Sequence, residues 1–393
     1  MSEVDKTAVL WSREFILLII VDILTNMGFG MLLTSVSYYA VENGASLPYA
    51  GMMASVFSLV AMVTRPFGGR LFDRFNKKRA FIISTLAFGC ISGLYALATD
   101  IHWLLTLRIV HGVAFSLSGV TNMALIACFI PKSRMNEGIG YYSAGMFIGQ
   151  AIAPPVAEPL MGSIGFFWLY IIVALMIVLP LGLCVGLRVP EQRPENAPAE
   201  KKKFVLAEFL IPGLILFMVV NAIFSFYNGI ANAFIFLVGK ERQIENIGLF
   251  FTVNSIVLFL TRVTTGKLAD KVRMSIMVNS ALAVSIVSLL LMSRAALLPI
   301  VMIAAAFKAL GQGVGQVVLN GESVKQTDAV HVGAAVGMVL MGNDLGNTLG
   351  PIAGGFVSQH WNYATMFVVS AMCFAVMMVV FNVCLARRGQ QQG

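Results

Sequence analysis

The sequence predicts an all-α membrane protein of twelve transmembrane helices, arranged as two pseudo-symmetric six-helix bundles. Three observations carry this expectation. The composition is too apolar for a soluble chain, twelve apolar runs alternate with short polar ones, and an internal repeat relates the two halves.

Composition comes first. Of 393 residues, 58% are hydrophobic and 12% are charged, whereas a soluble protein carries about 25% charged residues. So few charges cannot clothe a water-exposed surface of this size. A helical crossing takes roughly 20 apolar residues, so twelve take about 240 and leave room for short loops. The formal charge of +8 does not point to nucleic acid, because the basic residues sit between the apolar runs. Cys90, Cys128, Cys184, Cys373 and Cys384 are scattered through apolar runs without CxxC or CxxH spacing. They read as small packing residues, and neither a metal nor a cofactor is expected. The first apolar run starts at Phe15, is long and contains Asp22, so it is not expected to be a cleaved signal.

The apolar runs fall at about 15–40, 48–69, 80–99, 103–128, 137–161, 166–188, 208–237, 246–268, 275–293, 297–321, 331–356 and 362–386. Backbone groups in lipid must be bonded internally, which makes these runs helices. Period-2 alternation is absent, which argues against a membrane barrel. Lys and Arg collect on one side, at Arg13, at Arg65 through Arg79, at Lys132 and Arg134, and from Arg188 to Lys203. Arg262, Lys267, Lys271, Arg273, Lys325, Arg387 and Arg388 continue that side, while the other receives Lys240, Arg242 and Arg294. This asymmetry places both termini in the cytoplasm of a bacterial inner membrane and requires an even number of crossings. The stretch Arg188–Lys203 is rich in Pro, Glu and Lys and reads as a flexible linker. The expected organisation is a bundle at 1–188, a linker at 189–207 and a second bundle at 208–393.

The repeat is the strongest organising signal. Thr64-Arg65 precedes Gly69-Arg70-Leu71-Phe72-Asp73-Arg74, and Thr261-Arg262 precedes Gly266-Lys267-Leu268-Ala269-Asp270-Lys271, 197 positions later. Pro154 and Pro351 are also 197 apart, and Arg108 and Lys308 are 200 apart. Parallel six-helix repeats produce such a pattern.

These residues resemble the major facilitator superfamily over essentially the whole chain, and most closely its drug or metabolite:proton antiporter branch. The family's G-x-L-x-D-R-x-G-R-K loop is matched by Gly69, Leu71, Asp73, Arg74, Lys77 and Lys78, with Asn76 where glycine is usual. Its R-x-x-x-G signature is matched by Arg108 and Gly112, with His111 where Gln is usual. The exporter pattern G-x-x-x-G-P-x-x-G-G is altered at Gly145, Gly149 and Pro154-Pro155. A cleaner copy stands at Gly346, Gly350, Pro351, Gly354 and Gly355. The resemblance implies the major facilitator fold and a monomer whose halves rock about a midplane site. It also implies a gate in which Gly69, Asp73, Arg74, Lys77 and Lys78, echoed by Asp270, staple adjacent helices in one conformation. Gly145, Gly149, Pro154, Gly346, Gly350 and Pro351 are expected in helix seams, where small residues allow close approach and proline removes a backbone hydrogen bond.

Charges at bilayer depth cost about 2.5–3.5 kcal/mol each and need partners or water. Asp22, Arg108, Lys308 and Asp344 are so placed, two acids and two bases. The resemblance puts the first, fourth, seventh and tenth helices around a central cavity. Asp22 is the first proton-coupling candidate, followed by Asp344, by His111, since an unperturbed imidazole changes charge near neutral pH, and by Glu158. Asn221, Phe224, Asn228 and Asn232 share one helix face, beside Tyr227. Gln312 and Gln316 follow Lys308 at four-residue steps, and Asn26 follows Asp22. Such a stripe lines a cavity or holds helices together. The leading expectation is proton-coupled export of a small organic or amphipathic compound. The alternative is uptake or exchange of a small organic anion clamped by Arg108 and Lys308. No nucleotide loop is present, and no enzyme activity is expected. The expected partners are a small-molecule substrate, protons and the bilayer, without nucleic acid.

Overall fold

The computed structural model describes residues 10–74, 76–98, 100–131, 134–187, 189, 212–269, 272–327 and 332–391. The side chains of 65–74, 136, 212, 266–269, 332–334, 336 and 388–391 lie outside that description.

Twelve long helices run through the described residues. They are α1 (Arg13–Glu42), α2 (Leu47–Arg74), α3 (Lys77–Leu94), α4 (Ile101–Ala127), α5 (Met135–Ser163), α6 (Gly165–Val178), α7 (Ile215–Arg242), α8 (Leu249–Ala269), α9 (Met274–Arg294), α10 (Leu298–Lys325), α11 (Val332–His360) and α12 (Tyr363–Gln391). Each covers one of the apolar runs. Their ends are set by local chemistry. Asn76 caps α3 by accepting the Arg79 amide at 3.2 Å, Asp100 caps α4 by accepting the Trp103 amide at 3.3 Å, and Asn362 caps α12 by accepting the Thr365 amide at 2.7 Å. Two runs differ from the sequence expectation. The sixth, expected as one helix over 166–188, breaks at Leu179-Pro180 and resumes as a single turn, Leu181–Cys184, because proline donates no backbone hydrogen bond. The seventh runs past its expected end at 237 to Arg242, where Gln243 takes a left-handed conformation with φ 53° and stops it.

Nine of these helices are long and apolar enough to cross a membrane, among the described residues. Helix α8 counts only as the shorter Leu249–Thr265, and α5 and α11 carry Pro154, Pro155, Pro159 and Pro351 inside them. The chain is a multi-pass membrane protein. Its exposed side chains fit lipid contact: Ile83, Val263, Leu179 and Val380 all face outward.

Contacts divide the chain into two compact units. One comprises Met1–Leu32 with Val60–Phe204, the other Leu33–Leu59 with Val205–Gly393. In the first unit, α3 packs on α4 and α6. Leu18, Val21, Phe81, Leu125 and Leu181 form a buried cluster that ties α1, α3, α4 and the turn after α6. In the second unit, α11 lies along α7, α10 along α8 and α9, and α12 along α9. The α7–α11 seam depends on glycine. A Cβ on Gly342, Gly346 or Gly350 would stand 2.3, 2.1 or 2.2 Å from the carbonyl oxygen of Met218, Ala222 or Phe226. Only glycine permits so close an approach. The α1–α5 contact is similar but looser: a Cβ on Gly149 would stand 2.8 Å from the Ile23 carbonyl oxygen.

Candidate functional site

Each unit buries charged side chains among amides and rings. In the first unit, Asp22 of α1 is 1% exposed. Its Oδ1 accepts the Asn122 Nδ2 of α4 at 2.7 Å. The Tyr142 hydroxyl of α5 lies beside this pair, accepting from the same Asn122 amide at 3.5 Å. Asn26 serves the same turn differently, donating to the Asp22 main-chain carbonyl at 2.9 Å. Among the described residues, no Lys, Arg or His nitrogen lies within ion-pair distance of Asp22. Its one hydrogen-bond donor among the described residues is the neutral Asn122 amide of α4.

Arg108 is fully buried elsewhere in the same unit, beside the Tyr95 hydroxyl and the His111 ring. His111 stacks on Phe88 at 4.8 Å with an interplanar angle of 6°, and its Nε2 is 3.1 Å from the Ser92 hydroxyl. Tyr95 meets His111 edge-on at 5.5 Å, and Tyr170 flanks Tyr95. Arg108 and His111 are therefore set in an aromatic box.

In the second unit, Lys308 of α10 is 2% exposed. Its ammonium donates to Asn228 Oδ1 of α7 at 3.1 Å, Asn254 Oδ1 of α8 at 3.0 Å and Gln312 Oε1 one turn on at 2.9 Å. The Tyr227 ring lies 5.6 Å from Nζ. An ammonium has three protons, and the cage supplies three neutral acceptors. Asn228 extends the network to Asn347 of α11 at 3.2 Å. A second layer lies two turns further along α10. There Gln316 donates to Asn343 Oδ1 at 2.8 Å and Ser225 Oγ at 3.3 Å, and accepts Arg262 Nη2 at 3.0 Å.

The α7 face splits between two roles. Asn228 belongs to the lysine cage. Asn221 donates to the Val339 carbonyl at 2.6 Å, which fastens α7 to α11. Phe224 packs against Gly315 and Phe374, and Tyr227 hydrogen-bonds Ser288 at 3.0 Å. Asn232 is half-buried further along. Asp344 and Glu158 are half-buried on α11 and α5, and the Asp344 main-chain carbonyl accepts the Thr348 hydroxyl at 2.8 Å. Lys78 donates to the Leu187 carbonyl at 2.9 Å and to that of Val185, tethering the end of the sixth span, while Lys77 reaches Cys128 Sγ at 3.6 Å. The side chains of Gly69, Asp73 and Arg74 lie outside the described residues, as does Asp270 altogether.

Asn122, Tyr142, Asn254, Asn343 and Asn347 complete these clusters and were absent from the sequence-derived candidates. Their signal was available, since an asparagine inside an apolar run wants a partner.

Twelve helices with buried charges caged at membrane depth define a membrane transporter. Residues 18–245 and 228–392 match the Major Facilitator Superfamily, and the chain belongs to that family. It is similar to multidrug resistance protein MdtG of Erwinia billingiae, 24% identical over 98% of this chain and 97% of that one. It is also similar to MdtG of Enterobacter lignolyticus, 25% identical over 96% and 94%. Among solved structures, its fold is similar to the nucleoside transporter NupG, with a TM-score of 0.78 at 16% identity over 95% of this chain and 99% of that one. A bacterial homologue of the human lysosomal transporter Spinster gives a TM-score of 0.75 at 15% identity over 98% and 96%.

Proposed function

We propose that the protein exports a small organic or amphipathic compound from the cytoplasm of a bacterium by alternating access, in exchange for protons. The observation that carries this reading is the Asp22 cluster. A buried carboxylate held by Asn122, with Tyr142 beside it and no base at ion-pair distance among the described residues, has no permanent counter-charge. It is free to take up and release a proton as access changes sides. The similarity to MdtG proteins, named for multidrug resistance, supports export of drug-like compounds. The two halves, 1–188 and 208–393, would rock about the linker as a monomer, with both termini cytoplasmic. The loop motif around Asp73 and its echo at Asp270 would gate the cytoplasmic side.

The test is proton flux in inside-out vesicles under an imposed pH gradient, with a panel of cationic, zwitterionic and anionic compounds. Cationic or neutral compounds should dissipate the gradient with the wild type and fail to do so with Asp22→Asn. Unchanged flux in Asp22→Asn at normal expression would remove Asp22 from the coupling path.

A second reading, uptake or exchange of an organic anion, is favoured by one observation. Lys308 is buried among three amide oxygens with no carboxylate at ion-pair distance among the described residues. Flux with anions alone, abolished by Lys308→Ala or Arg108→Ala, would replace the first reading with this one.

A further inference from the structure

Helices α3 and α4 enclose an outward-facing groove of about 580 Å³ that none of the transport chemistry uses. Its floor is made of small side chains, Ala80, Ser84, Ala87 and Ala114, flanked by Ile83 of α3 and by Val113 and Leu117 of α4. The groove exists because two buried hydroxyl pairs hold the helices at a fixed spacing beneath it. Ser84 meets Thr121 and Thr85 meets Ser118, both at 2.8 Å. With the spacing fixed and the floor residues small, the lips stand proud of a trough. The trough follows α3 from Arg79 to Ile91, which at 1.5 Å per residue is about 18 Å. That length matches one leaflet, half of a hydrocarbon core of roughly 30 Å.

The two ends differ in chemistry. One end is closed by apolar Ile91 and Val110. The other opens at the start of α3, where Arg79 is exposed and has no acidic partner among the described residues. Asn76, which also lines the groove, accepts the Arg79 main-chain amide as the helix cap, and Arg79 itself lines the groove at this end. An apolar trough one leaflet long with a single arginine at its polar end is complementary to a lipid whose headgroup is anionic.

We propose that this groove is a binding site for one anionic phospholipid, its acyl chain along α3 and α4 and its phosphate on Arg79. In the orientation proposed above, the lipid belongs to the cytoplasmic leaflet; that clause alone rests on the functional reading. Bidentate pairing of a guanidinium with phosphate oxygens fixes the headgroup, and the small floor residues fix the chain.

The experiment is native mass spectrometry of the purified full chain released from nanodiscs of equal phosphatidylglycerol and phosphatidylcholine with identical acyl chains. The wild type should retain phosphatidylglycerol over phosphatidylcholine by about fivefold, the scale of one basic residue at an anionic headgroup. Arg79→Glu should remove that preference while still carrying lipid. Ala87→Trp, which fills the trough from its lipid-facing side, should lose both lipids. Arg273→Ala, an exposed arginine at the start of α9, should match the wild type. Equal retention of both lipids by the wild type, or undiminished phosphatidylglycerol in Arg79→Glu, overturns the proposal. Retention is read without regard to leaflet. The leaflet is assigned separately, by labelling Arg79→Cys from either vesicle face in a chain whose own cysteines are replaced. An outward-facing position there would refute the orientation and leave the lipid site standing.

Discussion

The Asp22 cluster of the first unit and the Lys308 cage of the second are built from the same materials to opposite ends. Both set one charge among neutral amides, contributed by neighbouring helices, with no opposite charge at ion-pair distance among the described residues. The difference lies in saturation. Lys308 donates to three amide oxygens within 2.9–3.1 Å, so its charged form uses every proton it has, and its neutral form would leave acceptors facing one another. Asp22 has Asn122 on one oxygen and Tyr142 nearby, which leaves acceptor capacity unused in the ionised form. Its neutral form still accepts from Asn122 and gains a hydroxyl donor. On the reading proposed above, hydrogen-bond inventory separates a saturated charge at the lysine from an exchangeable one at the aspartate.

The sharpest way to break the comparison is at the lysine. Lys308→Met leaves the Asn228, Asn254 and Gln312 oxygens without their donor. At about 1–3 kcal/mol for each buried unsatisfied group, the loss should exceed roughly 3 kcal/mol and lower the melting temperature of the detergent-solubilised protein by several degrees. Asp22→Asn should leave that temperature within a degree or two, because an amide replaces a side chain with spare capacity. Equal destabilisation by both changes would erase the distinction between a saturated and an unsaturated buried charge.

The seam behind the cage gives the next effect. Gly346→Ala places a Cβ 2.1 Å from the Ala222 carbonyl oxygen, and overpacking of this kind costs about 1–3 kcal/mol. Gly145→Ala in the first unit meets Ile23 at 3.2 Å, with Ile19 at 3.6 Å and Asp22 Oδ2 at 3.8 Å in ordinary contact, and should cost much less in the same melting assay. Asn122→Ala removes the one amide donor on Asp22. A hydrogen bond to a charged group contributes about 1.5–3 kcal/mol, so coupled flux should fall roughly tenfold or more, short of the complete loss expected from Asp22→Asn. The smallest effect belongs to the exposed pair Glu42–Lys240. Solvent-exposed pairs contribute about 0–1 kcal/mol, so Lys240→Ala should shift melting little, and less at high salt.

Much of the fold was legible because lipid imposes long apolar runs, and those runs became helices within a few residues of their expected ends. Proline broke the sixth span where hydropathy saw continuity, and Gln243 ended α7 through a backbone conformation that hydropathy does not encode. The charged centres Asp22, Arg108 and Lys308 stood out because a charge in an apolar run is rare. Their partners did not. Asn122 follows Asp22 by 100 positions and Asn254 precedes Lys308 by 54, and only helix packing brings such residues together. The α7 polar face shows the converse limit. Three- and four-residue spacing put Asn221 and Asn228 on one side, but packing gave the first to the α11 backbone and the second to the lysine.

The most direct measurement of the central claim is pH-difference infrared spectroscopy of the reconstituted protein, following the band of protonated carboxyl groups. The wild type should show a titrating band that disappears in Asp22→Asn and persists in Lys308→Met wherever that variant remains folded. A band unchanged in Asp22→Asn would mean that the exchangeable proton resides on another acid, and the assignment of the first unit's cluster as the coupling site would fall.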